Sequence, residues 1–199
     1  MDTIPLRCAC GAVTGQVLDA AAVFRIVCHC RGCQAFGRWL GRADELLDPV
    51  GGTDVYQLTP SQLRIEQGLD QVHAVRLTPK GAVRWHAACC RTPIANTLDS
   101  PKVAWLGVHH LFVDTAATGT PSRDDAIGPA RWRIHGKAAT GPAPDAHPSG
   151  PMSLIARALF VGVFDTVRGR ARPHPFFDDG APISAPVVLT DAERGELGL

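Results

Sequence analysis

The chain has almost no charge imbalance. Twenty Lys and Arg residues stand against 19 Asp and Glu, a formal net charge of +1. No global basic field is therefore available to gather nucleic acid or anionic lipid. Basic and aromatic residues are not interleaved as a nucleic-acid surface requires. Long hydrophobic runs are also missing. The longest, ALFVGVF from Ala158 to Phe164, falls far short of the ~20 residues of a spanning helix. The opening MDTIPLRCAC has an acidic second residue and no apolar stretch, so no secretory leader is expected. There is no internal repeat. Nucleic acid and membrane are thus not expected as partners, and the expected compartment is cytoplasmic and reducing. With 199 residues, 45% of them hydrophobic and 20% charged, the chain has the composition of a globular domain, alone or with an extension.

What the chain does have is cysteine in knots. Cys8 and Cys10 form C-x-C, Cys28, Cys30 and Cys33 form C-x-C-x-x-C, and Cys89 and Cys90 are adjacent. The count of seven is odd, and residues so close along a chain rarely reach unstrained disulfide geometry with one another. Metal binding or catalysis therefore ranks above a disulfide framework. Simple buried thiols and a vicinal redox pair at Cys89-Cys90 are the alternatives.

Around these knots the pattern is mainly β, with antiparallel hairpins and few helices. LRCACGAVTGQVLD reads as a hairpin turning at Cys8-Cys10-Gly11, with Val13, Gly15 and Val17 on one face. AVFRIVCHC is a strand that ends in cysteines, followed by a loop and a short, irregular helical turn. TDVYQLTPSQLRIEQG holds two strands about a Thr-Pro turn. HAVRLTPKGAVRWHAACC is a hairpin running into Cys89-Cys90, and KVAWLGVHHLFVD is a buried strand or strand pair. Trp85, Trp105 and Trp132 are expected in the core. From about residue 140 the composition shifts toward Gly and Pro. A helix over 152–168, apolar nearly all round and so suited to burial between layers, precedes an extended tail. The expected division is a zinc-binding β domain over 1–140, with a linker, helix and tail over 141–199 packing on it.

Zinc takes four ligands tetrahedrally. A turn at Cys8-Cys10 and a distant turn at Cys89-Cys90 together supply four thiolates, a closed and hence structural site. Cys28, Cys30 and Cys33 supply three, which leaves a fourth position for water or substrate, the arrangement of a catalytic zinc. A thiol substrate suits that position, because a metal holds a thiol as thiolate. His29, inside the motif, is expected to point away from the metal; if it closes the site, both zincs are structural. His109 and His110 alternate across a strand, with one of them a candidate to face the triad. Arg168, Arg170, Arg172 and His174 complement the helix end or hold a substrate carboxylate.

The set CACGAV, CHCRGCQ and CCRTPI resembles the glutathione-dependent formaldehyde-activating enzyme family, which includes centromere protein V. The resemblance covers about residues 5–138. It implies a β-tent of small antiparallel sheets with two zincs. Cys8, Cys10 and Cys90 match structural ligands, and Cys28, Cys30 and Cys33 match the catalytic ones. It also implies a carbon–sulfur lyase acting on a thiol–aldehyde adduct such as S-hydroxymethylglutathione, with glutathione or another small thiol as partner. The family's third motif has cysteine where this chain has Ala87 and glycine where it has Arg91. Cys89 or His86 must then supply the fourth structural ligand. The competing reading is a non-catalytic zinc module that binds protein or nucleic acid.

Overall fold

A computed structural model describes residues 3–19, 24–119 and 122–199. The protein is mainly β. Strands β1 (Ile4–Arg7) and β2 (Thr14–Val17) form the first hairpin, and β3 (Phe24–Cys28) leads into helix α1 (Arg31–Leu40) and the short α2 (Ala43–Leu46). Strands β4 (Thr53–Leu58), β5 (Leu63–Gln67), β6 (Val72–Arg76), β7 (Val83–Ala87), β8 (Pro93–Thr97) and β9 (Leu106–His109) follow. Next come α3 (Arg123–Ile127), β10 (Trp132–Ile134) and the long α4 (Met152–Val167). The tail adds β11 (Phe177–Asp178), β12 (Ala181–Pro182), β13 (Val187–Val188) and α5 (Asp191–Glu196).

Two sheets make the body. A three-stranded sheet runs β1-β2-β5, and an eight-stranded sheet runs β10-β3-β4-β9-β8-β7-β6-β13. The pairings are antiparallel except at the two edges, where β10 lies parallel to β3 and β13 parallel to β6. One face of the large sheet, with Tyr56, Trp85, Leu106 and Val108, packs on Ile4, Leu6, Val17 and Leu63 of the small sheet. Strand alternation sends the other set to the opposite face. There the register places Cys28 opposite Thr53, His109 opposite Val55 and Arg84 opposite Asn96. Helices α1 and α4 cover that second face, α1 through Phe36 and Leu40 near Val75 and α4 through Leu154 near Cys28 and Cys33. Strand β4, with cover on both sides, is buried along its whole length.

Two features differ from the sequence reading. The segment after Cys30 is a regular ten-residue helix rather than an irregular turn. Its N-cap is Cys30, whose Sγ accepts the Cys33 N–H, and its end is Gly41 at φ 67°, whose N–H reaches the Arg38 and Gly37 carbonyls. Cysteine is an uncommon cap, which hid the helix start. Helix α4 lies on the domain instead of between layers. Of its residues only Leu154 and Asp165 are buried, while Phe160, Val163 and Val167 are exposed. The tail is integral to the body: Phe176 is fully buried and stacks on Trp85 at 4.7 Å, and Leu189 closes the cluster beside α1. Among the described residues, no helix is long and apolar enough to cross a membrane.

Candidate metal centre

The seven cysteines gather into two groups, and within each the sulfurs lie within 4.8 Å of one another. The first group is Cys8, Cys10, Cys89 and Cys90. Sγ separations are 3.6 Å for Cys8–Cys10, 4.0 Å for Cys8–Cys89, 3.3 Å for Cys10–Cys89 and 3.8 Å for Cys89–Cys90. Four sulfurs bound tetrahedrally at about 2.3 Å would stand ~3.8 Å apart, so this donor set fits zinc.

Local backbone builds the group. In the first turn Gly11 has φ 79° and its N–H bonds the Cys8 carbonyl, while the Val13 N–H points at Cys8 Sγ at 3.2 Å. In the second turn the Arg91 N–H bonds the Ala87 carbonyl, and Arg91 itself sits at φ 57°. That left-handed conformation is one that glycine adopts freely and arginine with strain. It closes the turn that carries Cys89 and Cys90. Thr92 then ties the turns together: its Oγ1 accepts the Ala9 N–H at 3.0 Å and lies 3.1 Å from Cys90 Sγ. Burial opposes ionisation of Cys90, but the hydrogen bonds of the Thr92 hydroxyl and of the Cys10 and Thr92 backbone carry its thiol down to about 6. Burial pushes Cys8 and Cys89 up. The fourth member is Cys89. His86 packs edge-on against Trp39 at 5.0 Å, and burial lowers its pKa to about 4.

The second group is Cys28, Cys30 and Cys33. Cys28 ends β3, Cys30 caps α1 and Cys33 lies in its first turn, so strand end and helix start converge by local geometry alone. Cys28 and Cys33 are buried, and Cys30 is half-buried. Hydrogen bonds from Cys28 and Cys33 hold Cys30 as thiolate, down to about 2, and the Cys33 N–H and Arg84 add to this against the cost of burial. Cys28, hydrogen-bonded to Cys30, is pushed up. Cys33 is drawn down by Cys28, but Cys30 and burial outweigh this and leave it at about 11.

Arg84, which sequence reasoning missed, stands beside this group. Its Nη2 lies 3.0 Å from where a Cβ on Gly32 would sit, its plane covers Phe36 at 5.1 Å, and Nη1 reaches Asn96 Oδ1 at 3.3 Å. A buried guanidinium beside three sulfurs offsets their negative charge. The only sequence signal was an arginine at an inward position of an otherwise apolar strand. No histidine joins either group among the described residues. His29 turns to β10, with Nδ1 3.1 Å from the Ile134 carbonyl. His109 shares the face of Cys28 but lies against Phe36 at 5.6 Å, and burial keeps it neutral. His110 points the other way, 3.3 Å from the Asp54 carbonyl. The basic patch is not at the triad. It follows α4's C-terminal end, about 24 Å along that helix from its start, with Arg170 near Asp165 at 3.3 Å and Arg168 over Phe164 at 3.8 Å. Of the tryptophans, Trp85 is fully buried, whereas Trp105 and Trp132 are half-buried.

A sequence profile described as a family of unknown function, DUF6151, matches residues 1–186. The chain belongs to DUF6151. The match takes in both cysteine groups, α4 and the buried Phe176. No curated protein matches the chain.

Proposed function

We propose that this DUF6151 protein is a zinc enzyme that makes and breaks the carbon–sulfur bond of a thiol–aldehyde adduct. The reading is the one implied by the sequence resemblance to the glutathione-dependent formaldehyde-activating family. The observation that carries it is the unequal donor count: four sulfurs in one group and three in the other. Zinc at the triad would supply a Lewis acid that holds a substrate thiol as thiolate.

The chain's own residues do the rest. Cys28, Cys30 and Cys33 would hold the metal, with Cys30 the least buried of the three. Arg84 balances charge: three thiolates and one dication leave a net negative charge, and a fourth thiolate adds another, in a site where burial makes each costly. The reaction balances as RS–CH(OH)R′ ⇌ RS⁻ + R′CHO + H⁺. The carbon–sulfur bond breaks, its electron pair stays on sulfur, and the hydroxyl proton goes to solvent as the carbonyl forms.

A screen of aldehydes against several small thiols tests this directly. The expected result is thiol-dependent aldehyde turnover that Cys30→Ser abolishes while the protein stays folded. Turnover undiminished in Cys30→Ser would take the reaction away from the triad, and none with any thiol would place the protein with non-catalytic zinc modules.

A further inference from the structure

A cavity of about 600 Å³ lies between α4 and the sheet face that bears the triad. Five of its lining residues, Phe24, Ile26, Ile134, Leu154 and Ala158, belong to the cluster that packs on Cys28 and Cys33. Phe24, Ile26 and Cys28 alternate on one face of β3. The cavity therefore runs along the strand beneath the helix, and residues that line it also pack on the triad, although no cysteine lines the cavity itself. Its lining is apolar apart from Gln57 and Thr166. Thr166 is engaged, its Oγ1 accepting the Ala104 N–H at 2.9 Å. Gln57 is 3% exposed, and its Nε2 has no hydrogen-bond partner among the described residues. It fits there only because Gly107 has no side chain: a Cβ at Gly107 would stand 2.5 Å from Nε2. A buried amide N–H without a partner is costly, and Gln57 lines an apolar cavity of ligand size.

We infer that this cavity seats the apolar tail of the substrate, which is an aldehyde with a medium-length alkyl or aryl group, and that Gln57 donates to an oxygen on that tail. The substrate assignment rests on the carbon–sulfur reading above; the binding site does not. The exposed apolar side chains of α4 then have a use: Leu159 and Val163 wall the cavity at its open side. Formaldehyde, with no tail, would leave the space idle.

The probe is 1-octanol, which has an alkyl chain and one oxygen. Its binding to zinc-loaded protein is followed by calorimetry and by the fluorescence of Trp105, a lining residue. Saturable binding is expected, with affinity rising up to about four-fold per methylene from 1-hexanol to 1-octanol. Gly162→Phe fills the space from the helix side. Nothing lies within 4 Å of a Cβ there, and glycine is a poor helix former, so the variant should fold and bind octanol at least ~ten-fold more weakly. Gln57→Met keeps the length without the N–H and should lower affinity about two- to ten-fold. In turnover with glutathione, KM should fall from propanal to octanal in the wild type and not in Gly162→Phe. Absent or non-saturable octanol binding, or binding indifferent to Gly162→Phe, would overturn the site. So would a dimer of the wild type that Gly162→Phe dissociates, since a second copy would then be what covers the groove. Octanol binding without turnover of any aldehyde would overturn the substrate assignment alone.

Discussion

The two cysteine groups differ in how the chain assembles them. Cys28, Cys30 and Cys33 come together within six residues, where β3 meets α1. Cys8 and Cys10 meet Cys89 and Cys90 across about eighty residues and two sheets. A local group forms wherever its strand and helix form. A long-range group forms only when the small sheet has docked on the large one, so a metal there reports on the whole fold and stabilises it. Helix α1 stands between them, about 15 Å long. Its first turn holds the triad, while its last residues meet the other group: the Arg91 guanidinium donates to the Trp39 carbonyl, and Arg42 donates to that of Cys90. One group has four sulfurs drawn from turns far apart in the chain. The other has three, from one stretch of chain, and adjoins a cavity.

The largest effect should come from breaking the long-range group. Cys10→Ser is expected to abolish cooperative folding, because metal affinity on the order of 10 kcal/mol is folding free energy in such sites. A soluble Cys10→Ser variant with wild-type melting would contradict that division of labour. Next is the tail. Phe176→Ala, which opens a void against Trp85, should cost about 3–5 kcal/mol in urea denaturation. A loss below ~1 kcal/mol would make the tail an appendage. Arg84→Gln sharpens the comparison, since it touches one group only. Zinc at the triad, measured by chelator competition, should weaken about ten-fold, equivalent to ~1.4 kcal/mol of charge interaction, with the other site unchanged. Equal weakening of both would make Arg84 a general structural residue.

The smallest effect concerns pH. Burial lowers the pKa of His174 to about 4, below its unfolded value near 6.5. The unfolded chain then binds a proton that the folded chain refuses, so stability falls as pH drops through that window. Screened by partial exposure, the loss is on the order of 1–2 kcal/mol at pH 4. His174→Leu should melt with a shallower decline than wild type between pH 6.5 and 4. Parallel declines would show that His174 remains solvated.

Much of this was legible in the sequence, for identifiable reasons. Hairpins with alternating residues and turn glycines announced β1-β2 and β6-β7, and the grouping of cysteines announced both sites. Non-local effects were not legible. Nothing local says that β10 and β13 join the large sheet as parallel edges. The apolar stretch of α4 suggested full burial, but only Leu154 and Asp165 of it are buried. Cys89 and His86 could not be separated on paper, because the answer lay in contacts across the fold: Cys89 Sγ meets Cys8 and Cys10, while His86 packs on Trp39. Arg84 was invisible without the register that turns it toward α1.

The central claim is that the triad is one ligand short and is completed by a substrate thiol. X-ray absorption at the zinc edge, on protein loaded with two zincs and titrated with glutathione, tests it most directly. Before thiol the average should lie between three and four sulfurs per zinc, with a light oxygen or nitrogen ligand contributing. With thiol it should rise to four and lose that contribution, and Cys30→Ser should suppress the change while the other site keeps its sulfurs. Four sulfurs per zinc from the outset, indifferent to thiol, would contradict the account.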